Sequence, residues 1–101
     1  MYQLMKTTLI ITNLTPSTIT NADAVGLKIA MKDAVLNGEA ILLSFHGVTT
    51  LTTSFLNSSI GEIIDEFGFD MLKGKLSLTD YTPPIGKMIS TYIADMKKQN
   101  A

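Results

Sequence analysis

The fold is set by a short apolar stretch in the middle of the chain, Ala40-Ile41-Leu42-Leu43-Ser44-Phe45. A continuous apolar run of this length is typical of a strand covered on both faces, because neither side then meets water. Asn37-Gly38 comes just before it and is a typical helix end, since glycine adopts the left-handed cap at no steric cost. These residues predict the central strand of a sheet, reached from a preceding helix.

Three helices are predicted from apolar residues that recur at helical spacing. The first begins at Asn21, the second at the Thr52-Thr53-Ser54 cluster, and the third at Pro83-Pro84. The residues predicted to face the core are Leu27, Ala30, Met31, Ala34 and Val35 in the first helix, Leu56, Ile60, Ile63, Ile64 and Phe67 in the second, and Ile85, Met88, Ile89, Tyr92, Ile93 and Met96 in the third. Gly68 is predicted to end the second helix.

Two more strands are predicted on either side of the central one. Residues 7–12 are rich in β-branched side chains, and residues 75–79 alternate at period two. Residues 14–20 could be a loop or a weak edge strand. Strands that alternate with helices indicate an α/β fold with right-handed crossovers. We expect a mostly parallel or mixed sheet of four to five strands with about three helices.

Length and composition narrow the functional classes. A chain of 101 residues suits one domain, which we expect to span residues 1–101. Eight basic and nine acidic residues give a net charge of −1, so nothing favours nucleic acid or an anionic membrane. The apolar runs are far shorter than the roughly 20 residues of a membrane span. The N-terminus lacks a basic segment followed by an apolar run, so we expect a cytoplasmic protein. With no cysteine, one histidine and no Gly-rich phosphate loop, we expect neither a metal nor a cofactor.

The loop that follows the central strand is the predicted functional region, because parallel sheets bind ligands beyond the carboxyl ends of their strands. From His46 to Leu56 the chain carries five hydroxyl side chains and no carboxylate, lysine or arginine. A nucleophilic hydroxyl needs a base within hydrogen-bond reach, and none lies near Thr53 in the sequence. We therefore expect a binding protein and not an enzyme.

This loop resembles that of a STAS domain, the family of the anti-sigma factor antagonists and of the cytoplasmic tails of sulfate transporters. Gly47-Val48 matches the Gly-Val pair of that family. Thr52 stands in place of its Asp, Thr53 in place of its phosphorylated Ser, and Ser54 matches the next Ser. Phe55 replaces a Gly. The resemblance implies a STAS-like fold and a docking surface controlled by phosphorylation.

A second feature is closer to the bacterial STAS-like domain family of unknown function. It is the Ser54-Phe55 pair followed by an amphipathic helix and Phe67-Gly68-Phe69. That family tends to carry acidic residues just after Ser-Phe, where this chain has Asn57 and Ser58. The resemblance runs from about residue 21 to residue 98.

Taken with the residues, the resemblance predicts a non-enzymatic regulatory module that docks on a protein partner through residues 46–58. The partner implied is a kinase-like ATPase or a sensor domain. The candidate contact or phosphorylation residues are Thr52, Thr53, Ser54, Phe55, Asn57 and Ser58. Three alternatives remain open: the hydroxyls only cap the second helix, the same helix N-termini bind a small molecule or nucleotide, or the chain is a homodimer or larger homo-oligomer.

Overall fold

Three parallel strands form the sheet in the part of the chain that the structure describes. The structure is a computed structural model and describes residues 5–99, apart from the side chains of residues 71, 72 and 99. The strands are β1 (Lys6–Ile10), β2 (Ala40–Ser44) and β3 (Leu76–Thr79). Their order is β1-β2-β3, and both pairings are parallel. The predicted central strand is therefore confirmed, since β2 is hydrogen-bonded on both edges.

The sheet is smaller than predicted, because residues 5–99 contain three strands and not four or five. Residues 15–20, which follow β1, contain no strand. They are held instead by hydrogen bonds to the loop after β2. β1 also ends two residues before the predicted position, since Ile10 pairs with Ser44, the last residue of β2. Ile11 then turns into the core and begins a short helix.

The helices are α1 (Ile11–Leu14), α2 (Val25–Leu36), α3, α4 (Phe69–Leu72) and α5 (Pro83–Gln99). We use α3 for one continuous helical segment that consists of the α-helical turn Thr53–Leu56, the π-helical turn Asn57–Gly61 and the α-helix Glu62–Phe67. The three predicted helices correspond to α2, α3 and α5. The four-residue helices α1 and α4 were not predicted, because so short a segment shows no apolar period.

The first helix is capped differently from the prediction. Asn21 makes no side-chain cap hydrogen bond. Instead the Asp23 amide donates to the Thr20 hydroxyl at 3.2 Å, while the Thr20 amide donates to the Asp23 carboxylate at 3.3 Å. This reciprocal pair is a capping box, and it starts the 3₁₀ turn Ala22–Ala24 that leads into α2. At the other end Gly38 has a φ of 71°, as expected for a left-handed cap.

The core lies between the sheet and the predicted apolar faces of α2, α3 and α5. The buried members of those faces are Leu27, Met31, Ala34, Val35, Leu56, Ile60, Ile63, Ile64, Ile85 and Ile89. Ala30 and Phe67 are half-buried, and the remaining predicted residues of α5 pack partly buried against the core. The helical periods therefore placed the buried faces correctly.

Candidate functional site

The start of α3 is fixed by Thr52. Its backbone is extended, and its hydroxyl accepts a hydrogen bond from the Phe55 amide at 3.2 Å. The same hydroxyl donates to the Ile19 carbonyl, and the Thr52 amide donates to the Thr18 carbonyl at 3.3 Å. Thr52 thus caps α3 and ties it to residues 15–20 at the same time.

Thr53 and Ser54 differ from Thr52, although all three belong to the predicted cap cluster. Both are exposed, and neither hydroxyl has a hydrogen-bond partner among residues 5–99. The capping interpretation therefore holds for Thr52 alone. The hydroxyls of Thr53 and Ser54 therefore lie on the exposed surface.

The other three candidate residues lie in three different environments. Phe55 is fully buried in the core and contributes nothing to the surface in this structure. Asn57 is exposed, and its side-chain oxygen accepts a hydrogen bond from the Tyr92 hydroxyl at 2.8 Å. Ser58 lies on the opposite flank of α3, beside α2. The six residues therefore do not form one continuous patch.

Thr53 lines a shallow groove between the start of α3 and one flank of α5, which we call the α3–α5 groove. Its volume is about 430 Å³ and its wall is mostly apolar. The residues that line it are Thr53, Pro84, Lys87, Met88, Thr91, Tyr92 and Asp95. The sequence did not predict this groove, because it depends on how two distant helices lie against each other.

Tyr92 is a half-buried residue of the α3–α5 groove. Burial raises the pKa of its hydroxyl, and the nearby Asp65 carboxylate raises it further. The hydroxyl lies against Gly61, where a Cβ atom would collide with it. Gly61 therefore serves the packing of α3 on α5, which is the interpretation that its position inside a helix favoured. Tyr92 therefore keeps its proton, and its hydroxyl donates a hydrogen bond to the side-chain oxygen of Asn57.

A polar recess lies beyond the carboxyl ends of β1 and β2. Its hydroxyl-bearing lining residues are Thr12, Thr15, Ser17, Thr18, Thr49 and Thr50. Several of these hydroxyls are already bonded within the chain: Thr12 donates to the His46 carbonyl at 3.3 Å, and Thr18 donates to the Thr50 carbonyl. The recess therefore joins two loops by hydrogen bonds, and its lining residues include no lysine or arginine.

Asp80 is a residue at this edge that the sequence analysis missed. It follows β3, and its carboxylate accepts a hydrogen bond from the buried Ser44 hydroxyl at 2.7 Å. Asp80 has a φ of 61°, which aspartate tolerates better than most residues. The rule that led to the loop after β2 applies equally to the residue after β3, so the signal was present. Ser44 in turn accepts from the His46 amide at 3.2 Å, which fixes the start of that loop.

Comparison of the chain with known protein families identifies the family to which it belongs. A family model described as a STAS-like domain of unknown function (DUF4325) matches residues 24–85. The chain belongs to this family. No curated protein and no solved structure matches it. The matched residues of this STAS-like domain include α2, β2, α3 and β3, whereas β1 and most of α5 lie outside the match. The predicted family is therefore confirmed, and one wall of the α3–α5 groove comes from outside the matched residues.

Two further properties of residues 5–99 bear on the site. They contain no group of three His, Asp or Glu side chains arranged to hold a metal ion. Among the helices that they form, none has the length and apolar character that crossing a membrane requires.

Proposed function

We propose that this STAS-like domain is a non-enzymatic regulatory module that binds a protein partner through the α3–α5 groove. The observation that carries the proposal is the position of Thr53. Its exposed, unbonded hydroxyl lies on the wall of an apolar groove, and it stands where the antagonists of the STAS family carry their phosphorylated serine. An apolar wall suits contact with a partner's side chains better than it suits proton transfer.

The charges around the groove indicate what the partner must present. Lys87 and Asp95 lie on α5 eight residues apart, so their Cα atoms are separated by about 12 Å along the helix. Met88 and Thr91 lie between them. We propose that the partner inserts apolar side chains between the two charges and places an acidic group near Lys87 and a basic group near Asp95. Opposite charges at the two ends would fix the direction of the bound segment.

Phosphorylation of Thr53 is the proposed control of this docking. A phosphate would add about two negative charges to a wall that is mostly apolar. It would also lie in the first turn of α3, where the helix dipole favours an anion. The modification would therefore leave α3 intact and change what the groove can bind. The partners we would test first are a kinase-like ATPase and a sensor domain.

The proposal can be tested with two neighbouring residues of α5. Thr91 lines the groove, whereas Ser90 is exposed and is not part of its lining. A partner captured with the full chain would be titrated calorimetrically against the wild type, Thr91→Glu and Ser90→Glu. We expect Thr91→Glu to weaken binding by about tenfold or more, because its carboxylate must lose water when the partner docks and it competes with the partner's acidic group for Lys87. Ser90→Glu should bind like the wild type.

The alternative sites give different results in the same experiment. Equal affinities in all three proteins would show that the partner docks elsewhere and would overturn the groove proposal. The polar recess beyond β1 and β2 is the second candidate site, because its hydroxyls line the edge where parallel sheets bind ligands. A stoichiometric small molecule in native mass spectra of the purified protein would favour that recess over the groove.

A further inference from the structure

The outer face of α2 is mostly apolar. Val25, Ile29 and Leu36 are 53%, 62% and 67% exposed, although Leu27 and Met31 already fill the inner face of the same helix. A helix at the surface of a domain normally carries polar residues on its outer side, and a helix that is apolar all round is normally covered. The outer face of α2 therefore has the character of a contact surface.

The spacing of these residues is that of a coiled-coil seam. Counting from Val25, the first residue of α2, the positions on this face are separated by four, three and four residues, which matches the a/d spacing of a heptad. We call this face the α2 seam; it consists of Val25, Ile29, Lys32 and Leu36. Lys32 is its one charged member, and its ammonium group is bonded to Glu66 of α3 at 3.0 Å. That salt bridge draws Lys32 to one side, so the seam stays mainly apolar.

The charges beside the seam indicate its occupant. Lys28 lies on one flank and Asp33 on the other, at the heptad positions g and e. When two such helices pair in parallel, position g of one helix faces position e of the other. Lys28 of each copy then meets Asp33 of the second copy, which gives two opposite-charge pairs. In an antiparallel pair, like flanks would meet and Lys28 would face Lys28.

We propose that the outer face of α2 joins two copies of this chain in a parallel homodimer. The seam supplies the apolar contact, and the Lys28 and Asp33 pairs set the orientation. A shallow groove between α2 and α3, lined by residues that include Val25, Ile29 and Glu62, receives side chains of the second copy. Lys28 is bonded to Glu62 at 3.0 Å within its own chain, so in the dimer it lies between two carboxylates.

The dimer is weak and reversible. α2 has 12 residues and is about 18 Å long, so the contact lies at the small end of specific protein interfaces. The α2 seam shares no residue with the α3–α5 groove. Dimerisation therefore leaves the α3–α5 groove of each copy accessible, and the inference does not depend on the proposed function.

The first test is sedimentation velocity of the full chain over a concentration series. The wild type should shift from monomer to dimer as the concentration rises, and Ile29→Glu should remain monomeric throughout. Ile19→Glu is the matched control, because Ile19 is also an exposed isoleucine, at 50%, and lies outside the seam. A wild type that stays monomeric at the highest concentration, or a dimer that Ile29→Glu leaves intact, would overturn the proposal.

The second test exchanges the flanking charges. Lys28→Glu gives a chain with two acidic flanks, and Asp33→Lys gives a chain with two basic flanks. Each variant alone should dimerise about tenfold or more weakly than the wild type, because like charges then face each other. An equimolar mixture of the two should recover dimerisation, since every acidic flank then meets a basic one. Failure of the mixture to recover while both variants keep the wild-type melting temperature would exclude the parallel arrangement.

Discussion

α3 presents two contrasting regions on one helix. Its inner stripe is buried in the core: Ile60 and Ile63 are 1% and 0% exposed. Its first turn is open, because Thr53 and Ser54 are exposed and their hydroxyls are unbonded among the described residues. A change on the stripe should therefore alter the stability of the fold, whereas a change on the first turn should alter what the domain binds.

The largest change in stability is expected for substitutions on the buried stripe of α3. Ile63→Ala should lower the free energy of unfolding by about 2–5 kcal/mol, since it leaves a cavity in a packed core. Ile89 of α5 is 1% exposed, so Ile89→Ala should lower the free energy of unfolding by a similar amount. Urea denaturation monitored by circular dichroism measures both. Ile19→Ala is the control, since Ile19 is half exposed, and a loss at Ile63 no greater than at Ile19 would show that the stripe is not packed as described.

A smaller loss of stability is expected for a substitution at the contact between α3 and α5. Gly61→Ala should destabilise the protein by about 1–3 kcal/mol, because the new methyl group collides with the Tyr92 hydroxyl. In a Tyr92→Phe background that oxygen is gone, and Gly61→Ala should then cost clearly less: the remaining tight contact is with the Leu56 carbonyl at 3.3 Å, and alanine is the better helix former by about 1 kcal/mol. Thermal melts of the two single variants and the double variant give the coupling. Additive costs would mean that the hydroxyl is not what excludes a side chain at residue 61.

A still smaller change in stability should distinguish Thr52 from Ser54 within the predicted cap cluster. Thr52→Ala removes the hydroxyl that accepts from Phe55 and donates to Ile19, so it should cost about 0.5–2 kcal/mol. Ser54→Ala should change stability by less than about 0.5 kcal/mol, because Ser54 is exposed and its hydroxyl is unbonded. Thermal melts of the two variants compare them directly. A loss at Ser54 equal to that at Thr52 would contradict the assignment of the cap to one residue.

The sequence predicted the buried faces well because they are local. A window of about a dozen residues is enough to recognise the spacing of apolar residues in α2, α3 and α5 and the unbroken apolar run of β2. The end of β1 could not be predicted in this way, because it depends on where the neighbouring strand β2 ends. The Thr20 and Asp23 capping box could have been found, because a hydroxyl followed three residues later by an acidic side chain is a recognisable pattern.

The site was predicted only in part, for a physical reason. Thr52, Thr53 and Ser54 are chemically alike, and any of them can cap a helix, so the sequence could not say which one does. The choice depends on the Ile19 carbonyl, which lies 33 residues from Thr52 in the chain. The groove beside Thr53 depends in the same way on α5. Contacts between distant segments, and not the local pattern, separate the structural hydroxyl from the free ones.

The smallest change in stability, and the sharpest test of binding, is expected at Thr53. Thr53→Ala should leave the melting temperature unchanged, because the hydroxyl it removes is unbonded among residues 5–99. Thr53→Glu should be neutral or slightly stabilising, since an anion in the first turn of a helix is favoured by about 0.3–1 kcal/mol. The same variant should weaken partner binding by about tenfold or more, because it places an uncompensated charge on the apolar wall of the groove.

Ser54→Glu is the matched control: it adds the same charge one residue further on, outside the lining of the groove. Calorimetric titration of each variant with the partner, beside thermal melts, separates the two effects. If both Thr53 variants bind like the wild type, Thr53 is not the switch, and a loss confined to Ser54→Glu would assign that role to Ser54.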